Sequence, residues 1–183
     1  MAFNIGDFSK KFTGYTRSAH FEASITLPAW AQAKGYQDSD FLKLRCHAVN
    51  LPGTDMELFS ARTKGSGASE FFPIGVNFSP VNMVFFNDEN SKILKLFREW
   101  SANIVDIGQT TSDESFRINY RSDYLSTIII DQFDGVGNIS ARYNIKEAFP
   151  ASISSVNLNW AATDQITELP VTFVYKSFSI SDS

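Results

Sequence analysis

One long stretch of this chain, residues 87–104, carries a clear helical period, and it dictates how the rest must be arranged. Ile93, Leu94, Phe97, Trp100 and Ile104 fall on one apolar stripe, while Lys92, Lys95, Arg98 and Glu99 take the opposite face. Asn87 or Asp88 is placed to cap the start, and Asp88 and Glu89 set negative charge where exposed N–H groups favour it. Nearly everything else reads as strand and turn, so the helix must cover a flank of packed sheets.

The strands are read from alternation. In 20–27, Phe21, Ala23, Ile25 and Leu27 alternate with His20, Glu22, Ser24 and Thr26, and Pro28 stops the run. Residues 29–40 read as a loop. In 41–49 the expected inward set is Leu42, Leu44, Cys46 and Ala48. Runs at 56–63 and 69–76 flank Lys64-Gly65-Ser66-Gly67-Ala68, a flexible tip, and 81–86 leads into the helix. After a polar segment come 116–120 and 124–133. The turn Asp134-Gly135-Val136-Gly137 then returns the chain through Ile139, Ala141, Tyr143 and Ile145, alternating with Ser140, Arg142, Asn144 and Lys146, with Pro150 as its end. Runs at 153–160 and 169–180 close the chain. Short turns without alternating helices predict antiparallel sheets packed as a sandwich or barrel with one flanking helix. Residues 1–19 read as an N-terminal arm and 20–183 as a single domain.

Composition removes several function classes. A net charge of -4 argues against a protein that grips nucleic acid through a basic face, though not against one that nucleic acid slides past. The lone cysteine, Cys46, allows no intrachain disulfide. No apolar run approaches the roughly 20 residues that span a bilayer, and the N-terminus lacks the regions of a signal peptide, so a cytoplasmic protein is expected. Chemistry is sparse. Cys46 and His47 are adjacent in a strand and point to opposite faces, which opposes a nucleophile–base pair. One Cys and two His cannot furnish a conventional zinc site. The Lys64–Ser69 stretch lacks the spacing of a phosphate-cradling loop, and no Gly-x-Ser-x-Gly elbow is present. No enzyme and no cofactor are expected.

The order of elements resembles a family. Leu51-Pro52-Gly53, the Gly-rich excursion, the run Met83-Val84-Phe85-Phe86-Asn87-Asp88-Glu89 and a helix ending in Phe97-Arg98-Glu99-Trp100 are similar to the tail tube proteins of contractile-tailed bacteriophages. So are the run from Tyr143 to Pro150, the run Val156-Asn157-Leu158-Asn159-Trp160, and the run from Glu168 to Tyr175. The likeness covers roughly residues 20–180. It implies a non-enzymatic virion subunit that forms hexameric rings, stacked into a tube inside a contractile sheath, through which the genome passes. Tube-initiating baseplate proteins and the type VI secretion ring protein share that fold. Implied partners are further copies of the chain, the sheath, baseplate and tail terminator proteins, a tape measure protein inside the tube, and transiently double-stranded DNA, with no membrane insertion of its own. Assembly in the host bacterial cytoplasm and residence in the virion tail follow.

Site expectations follow from that resemblance. Each subunit would give four strands to a shared inner barrel of about 24. The lumen row is expected on the 124–146 hairpin, as Ser140, Arg142, Asn144 and Lys146, with Asp131 to offset the two bases. Lys64, Gly65, Ser66, Gly67 and Ala68 are expected in an inter-subunit loop, and Lys92, Lys95, Arg98 and Glu99 at an outer contact. A monomeric β-barrel holding a small apolar ligand is the alternative of a different class; it needs an interior cavity and no self-assembly.

Overall fold

The computed structural model describes residues 18–36, 39–62, 65, 67–106, 117–156 and 166–181. The chain begins with β1 (Phe21–Thr26), α1 (Ala29–Ala33), α2 (Ser39–Lys43) and β2 (Cys46–Val49). A ribbon of β3 (Thr54–Ala61) and β4 (Glu70–Phe78) follows, then β5 (Val81–Phe86) and the long helix α3 (Lys92–Ile104). Two short strands, β6 (Val105–Asp106) and β7 (Arg117–Ile118), pair with each other. The chain continues through α4 (Arg121–Tyr124), β8 (Ser126–Phe133), β9 (Ile139–Ile153), β10 (Glu168–Val174) and β11 (Ser177–Ser181).

All strand pairings are antiparallel, as short connections predict. One sheet is β1-β8-β9-β11, and a second is β9-β10-β5-β2. The long strand β9 belongs to both. Its crossing point is Glu147, whose φ of 54° lies in the left-handed region that disfavours a side chain. Lys176 Nζ, from the link between β10 and β11, donates to Glu147 Oε1 at 2.8 Å, and Arg121 Nε lies 3.3 Å from Oε2. These pairs steady the corner while half-exposed, so their share of the stability is small.

The core lies between the sheets and under α3. Ile25, Ile128, Ile130 and Ile145 come from the first sheet, Met83, Phe85, Val171 and Phe173 from the second, and all are essentially inaccessible. Helix α3 adds Ile93, Leu96, Phe97 and Trp100. The Trp100 ring lies 6.3 Å from Phe173, edge to face, and its Nε1 donates to the Tyr124 carbonyl at 2.9 Å. That bond satisfies the one polar atom the indole brings into the core. The strands form an open arrangement, since among the described residues β1 and β2 end the path unpaired with each other.

Several local expectations are corrected. The helix starts at Lys92, not at 87, because Ser91 sits at φ 52°; Asp88 still caps it, its Oδ1 accepting the Lys92 N–H at 2.7 Å. Leu96 replaces Leu94 on the fully buried stripe, and Leu94 and Ile104 are half-buried. The loop 29–40 contains α1 and the start of α2, which consumes the first residues of the strand expected at 41–49 and leaves Leu44 exposed in a turn. Pro150 does not end β9: it sits where the β9–β10 register shifts, a place where a missing N–H costs little. The run expected at 169–180 is broken by Tyr175 and Lys176 into β10 and β11. Of the strand expected at 153–160, Ile153 ends β9, 154–156 are irregular, and 157–160 lie outside the described residues, as do residues 1–17 of the N-terminal arm.

Candidate assembly surfaces

Alternation gives the first sheet one apolar face and one polar face. Register places Glu22 opposite Asp131, Ser24 opposite Ile129 and Thr26 opposite Thr127. It then places Asp131 opposite Arg142 and Ile129 opposite Asn144. On the far side Arg142, Asn144 and Lys146 meet Ser181, Ser179 and Ser177 of β11. Apart from Ile129, this four-stranded face is hydroxyls, one amide and four charges.

The charges compensate. Arg142 Nε and Nη2 donate to Asp131 Oδ1 and Oδ2 at 2.6 and 2.8 Å, a two-pronged pair between direct cross-strand neighbours. The hydrogen bonds it donates to the Asp131 carboxylate, aided by that group's charge, make Arg142 hold its proton more firmly than usual. Glu22 pairs with Lys43 of α2. Lys146 is exposed. The structure thus brings Asp131, Arg142, Asn144 and Lys146 onto one face, with Ser140 in the β8–β9 register shift beside it. Sequence reasoning did not assign Glu22, Ser24, Thr26 or the β11 serines to this face. Their alternation was visible, but the pairing of β1 with β8 and of β11 with β9 spans about a hundred residues in one case and about thirty in the other.

The ribbon of β3 and β4 pairs only with itself among the described residues. Met56, Leu58, Phe59, Phe71, Phe72, Ile74 and Val76 on it are all largely exposed. At its tip Gly65 and Gly67 adopt φ of 71° and 120°, and Ala68 is exposed. Lys64 and Ser66 lie outside the described residues. At its base Phe78 packs against Tyr175 and Phe178 at 5.9 and 5.5 Å, and Tyr175 Oη donates to the Ser79 carbonyl at 2.9 Å.

On α3, Lys92, Lys95 and Arg98 are exposed, and Lys95 Nζ donates to the Asn90 carbonyl at 3.2 Å. Glu99 departs from the expected free face: it is half-buried and accepts from Lys34 Nζ at 3.2 Å. A depression of about 770 Å³ beside this helix, lined by Leu94, Arg98, Ala102 and Ile153 among others, is an open surface cleft and not an interior cavity. Among the described residues, side chains from both sheets, including Ile128, Ile130, Phe85 and Phe173, are essentially inaccessible. Cys46 and His47 occupy opposite faces of β2; the thiol lies 3.6 Å from the Ala48 carbonyl, and the imidazole stacks on Phe86 at 4.1 Å. Among the described residues no cluster of His, Cys, Asp and Glu could hold a metal, and no helix is long and apolar enough to cross a membrane.

Comparison with curated proteins gives no match. Solved structures share the fold at low identity. A chain of the anti-feeding prophage baseplate aligns at TM-score 0.67 and 9% identity, over 93% of this chain and 98% of that one. A chain of an extracellular contractile injection system, a PVC sheath–tube complex in its extended state, aligns over 100% of both at TM-score 0.63 and 12% identity. A chain of the anti-feeding prophage cap aligns at 0.64 and 14% identity, over 94% of each. At such identities the likeness speaks for the fold alone. The family is given by the sequence itself: residues 16–181 match the phage tail tube protein family from end to end of the described fold, and the chain belongs to it as a structural, tube-type subunit.

Proposed function

We propose that this protein is a tail tube subunit whose β1-β8-β9-β11 sheet becomes one segment of a ring-shaped inner wall. The observation that carries this reading is that sheet: four strands, an apolar side on the core, a polar and charge-compensated side on solvent, and two different edges, β1 and β11, that pair with no further strand among the described residues. An exposed edge invites pairing, and closing a barrel removes it. Four is an even number, so β1 and β11 run in opposite directions. A rotated copy therefore offers its β1 antiparallel to β11, and the wall stays antiparallel throughout. The contact is head-to-tail, which closes into a ring when the rotation divides a full turn.

Six copies supply about 24 strands; at about 4.8 Å spacing and roughly 40° tilt the backbone diameter is near 48 Å, leaving about 38 Å inside for a duplex about 20 Å wide. Asp131, Ser140, Arg142, Asn144 and Lys146 then line the lumen. Pairing Arg142 with Asp131 keeps the wall from acting as a phosphate-binding surface that would hold DNA through counterion release. The ribbon with its Lys64–Ala68 tip reaches another copy, and the α3 face meets the sheath. Sheath, baseplate and terminator proteins, a tape measure protein inside and DNA in passage are the partners of this role, in a virion tail assembled in the bacterial cytoplasm. Residues 20–183 act as one domain and 1–19 as an arm. The baseplate likeness supports a second reading, a tube-initiating ring of the same fold.

Negative-stain microscopy of the purified chain tests both. Tubes or rings with a central hole support the proposal, growth beyond single rings favours the main tube over the initiator, and a monodisperse particle of the 20.5 kDa chain at high concentration would overturn it. Deleting Lys64–Ala68 should leave the folded subunit and abolish tubes; normal tubes from the deletant remove the loop from the assembly.

A further inference from the structure

The chain passes between the two sheets twice, and the two passages lie side by side. β9 pairs with β11 up to Lys146 and with β10 from Phe149, while β10 ends at Val174 and β11 begins at Ser177. Lys176, in the link, donates its backbone N–H to the Lys146 carbonyl at 3.2 Å. At the same point β9 carries one residue too many. Ser126 pairs with Ala148 and Ile128 with Ile145, so Lys146 and Glu147 together stand opposite Thr127. Within this bulge Glu147 takes its φ of 54°, a conformation in which glycine is the ordinary occupant, because a Cβ makes the left-handed region costly.

The side chain of Glu147 supplies what glycine would lack. Its Oε1 accepts from Lys176 Nζ at 2.8 Å, and its Oε2 lies 3.3 Å from Arg121 Nε at the start of α4. The shallow depression in which it stands is otherwise lined by uncharged groups such as Thr26, Pro28, Ser122, Ser126 and Thr127. Lys176 and Arg121 are therefore the charged groups that face it among the described residues. The hydrogen bond from Lys176, with burial partly opposing it, and then the charges of Lys176 and Arg121 hold the carboxyl below the ordinary glutamate value. The strain of a left-handed corner and the gain from half-exposed ion pairs are both small and have opposite signs, so the bend depends on the pairs being made.

We infer that the Glu147 carboxylate is a charge-operated lock on the corner between the sheets. Ionised, it holds β9 bent through Lys176 and Arg121; neutral, it lets the corner straighten toward ordinary strand geometry and the first sheet turn against the second. Because β11 begins directly after Lys176, the same lock sets where that edge strand stands. The folded carboxyl titrates low, so the contribution of the lock is complete above the ordinary glutamate value and is lost as the pH falls through the lowered one. Glu147 is thus a positioning residue that acts within a single subunit, with or without a tube.

Spin labels at Ser152→Cys, on β9 beyond the corner, and at Ser179→Cys, on β11, read the angle between the sheets; both positions are exposed. The full chain carries them in a Cys46→Ser background and is diluted into unlabelled wild type, so that distances within one subunit are measured, with thermal melts as the fold check. Native Glu147 at neutral pH is expected to give one narrow distance. Glu147→Gln, equal in size and uncharged, and Lys176→Met are each expected to add a second distance several ångströms away. Molar salt should move part of the native population the same way. Glu147→Gly, which accepts the left-handed corner without strain, should keep the original distance. A single unshifted distance in both Glu147→Gln and Lys176→Met overturns the lock and assigns the corner to packing alone. A second distance in Glu147→Gly equal to that in Glu147→Gln overturns the role of strain. Where the substituted chains fail to fold, the salt series with native Glu147 decides, and a distance indifferent to salt overturns the lock.

Discussion

Asp131 and Arg142 face each other directly across β8 and β9, and the pair shows how a basic residue can sit on a polar wall without making it basic. The alternation of Ser140, Arg142, Asn144 and Lys146 is legible in the sequence; the fork between guanidinium and carboxylate depends on register, which is not. Glu147 had no sequence signal at all, since a left-handed corner would be expected of glycine. Cys46 was more readable. Burial pushes its thiol from 9.0 up to about 12, a hydrogen bond with the Ala48 backbone only partly opposing this. The folded pKa is raised, so this contribution to stability is complete below pH 9.0 and is lost as the pH climbs toward about 12. At pH 8 Cys46 should react with Ellman's reagent at least about tenfold more slowly than after denaturation. Equal rates would mean that the thiol is not buried.

At the scale of elements, α3 was visible because its period is strong, yet its first turn was placed too early. A capping carboxylate need not be adjacent to the helix: Asp88 reaches forward four residues to the Lys92 N–H. Short helices such as α1 and α2 lack the length for a period to declare itself, and tertiary packing of Ala31 and Leu42 selects them. The helix owes its position to its aromatic stripe. Replacing Trp100 by Ala should cost about 3–5 kcal/mol in urea unfolding, from lost burial and an unsatisfied Tyr124 carbonyl. A loss below about 1 kcal/mol would show that the core closes around the gap.

For the whole molecule, the number and type of strands could be read from alternation, but their neighbours could not, because β1 with β8 and β10 with β5 are joined across long loops of sequence. The assembly surfaces follow from those neighbours, so they emerged only with the topology. The α3 face is the surface furthest from this dependence, being set by helical period alone. Reversing Lys95 and Arg98 to Glu should leave the melting temperature within a few degrees, as expected for exposed sites, and weaken sheath or tube assembly in co-sedimentation. Unchanged assembly would return that face to solvent.

The long strand β9 has a mechanical meaning. Its backbone runs unbroken from Ile139, beside β8 and β11, to Ile153, beside β10. A load on the outer flank therefore has a covalent route to the polar wall along β9 and its corner, besides the packed core between the two sheets. In the proposed tube, thrust from outside would move the wall and its cargo together, so each subunit would serve as a stiff strut and not as a hinge.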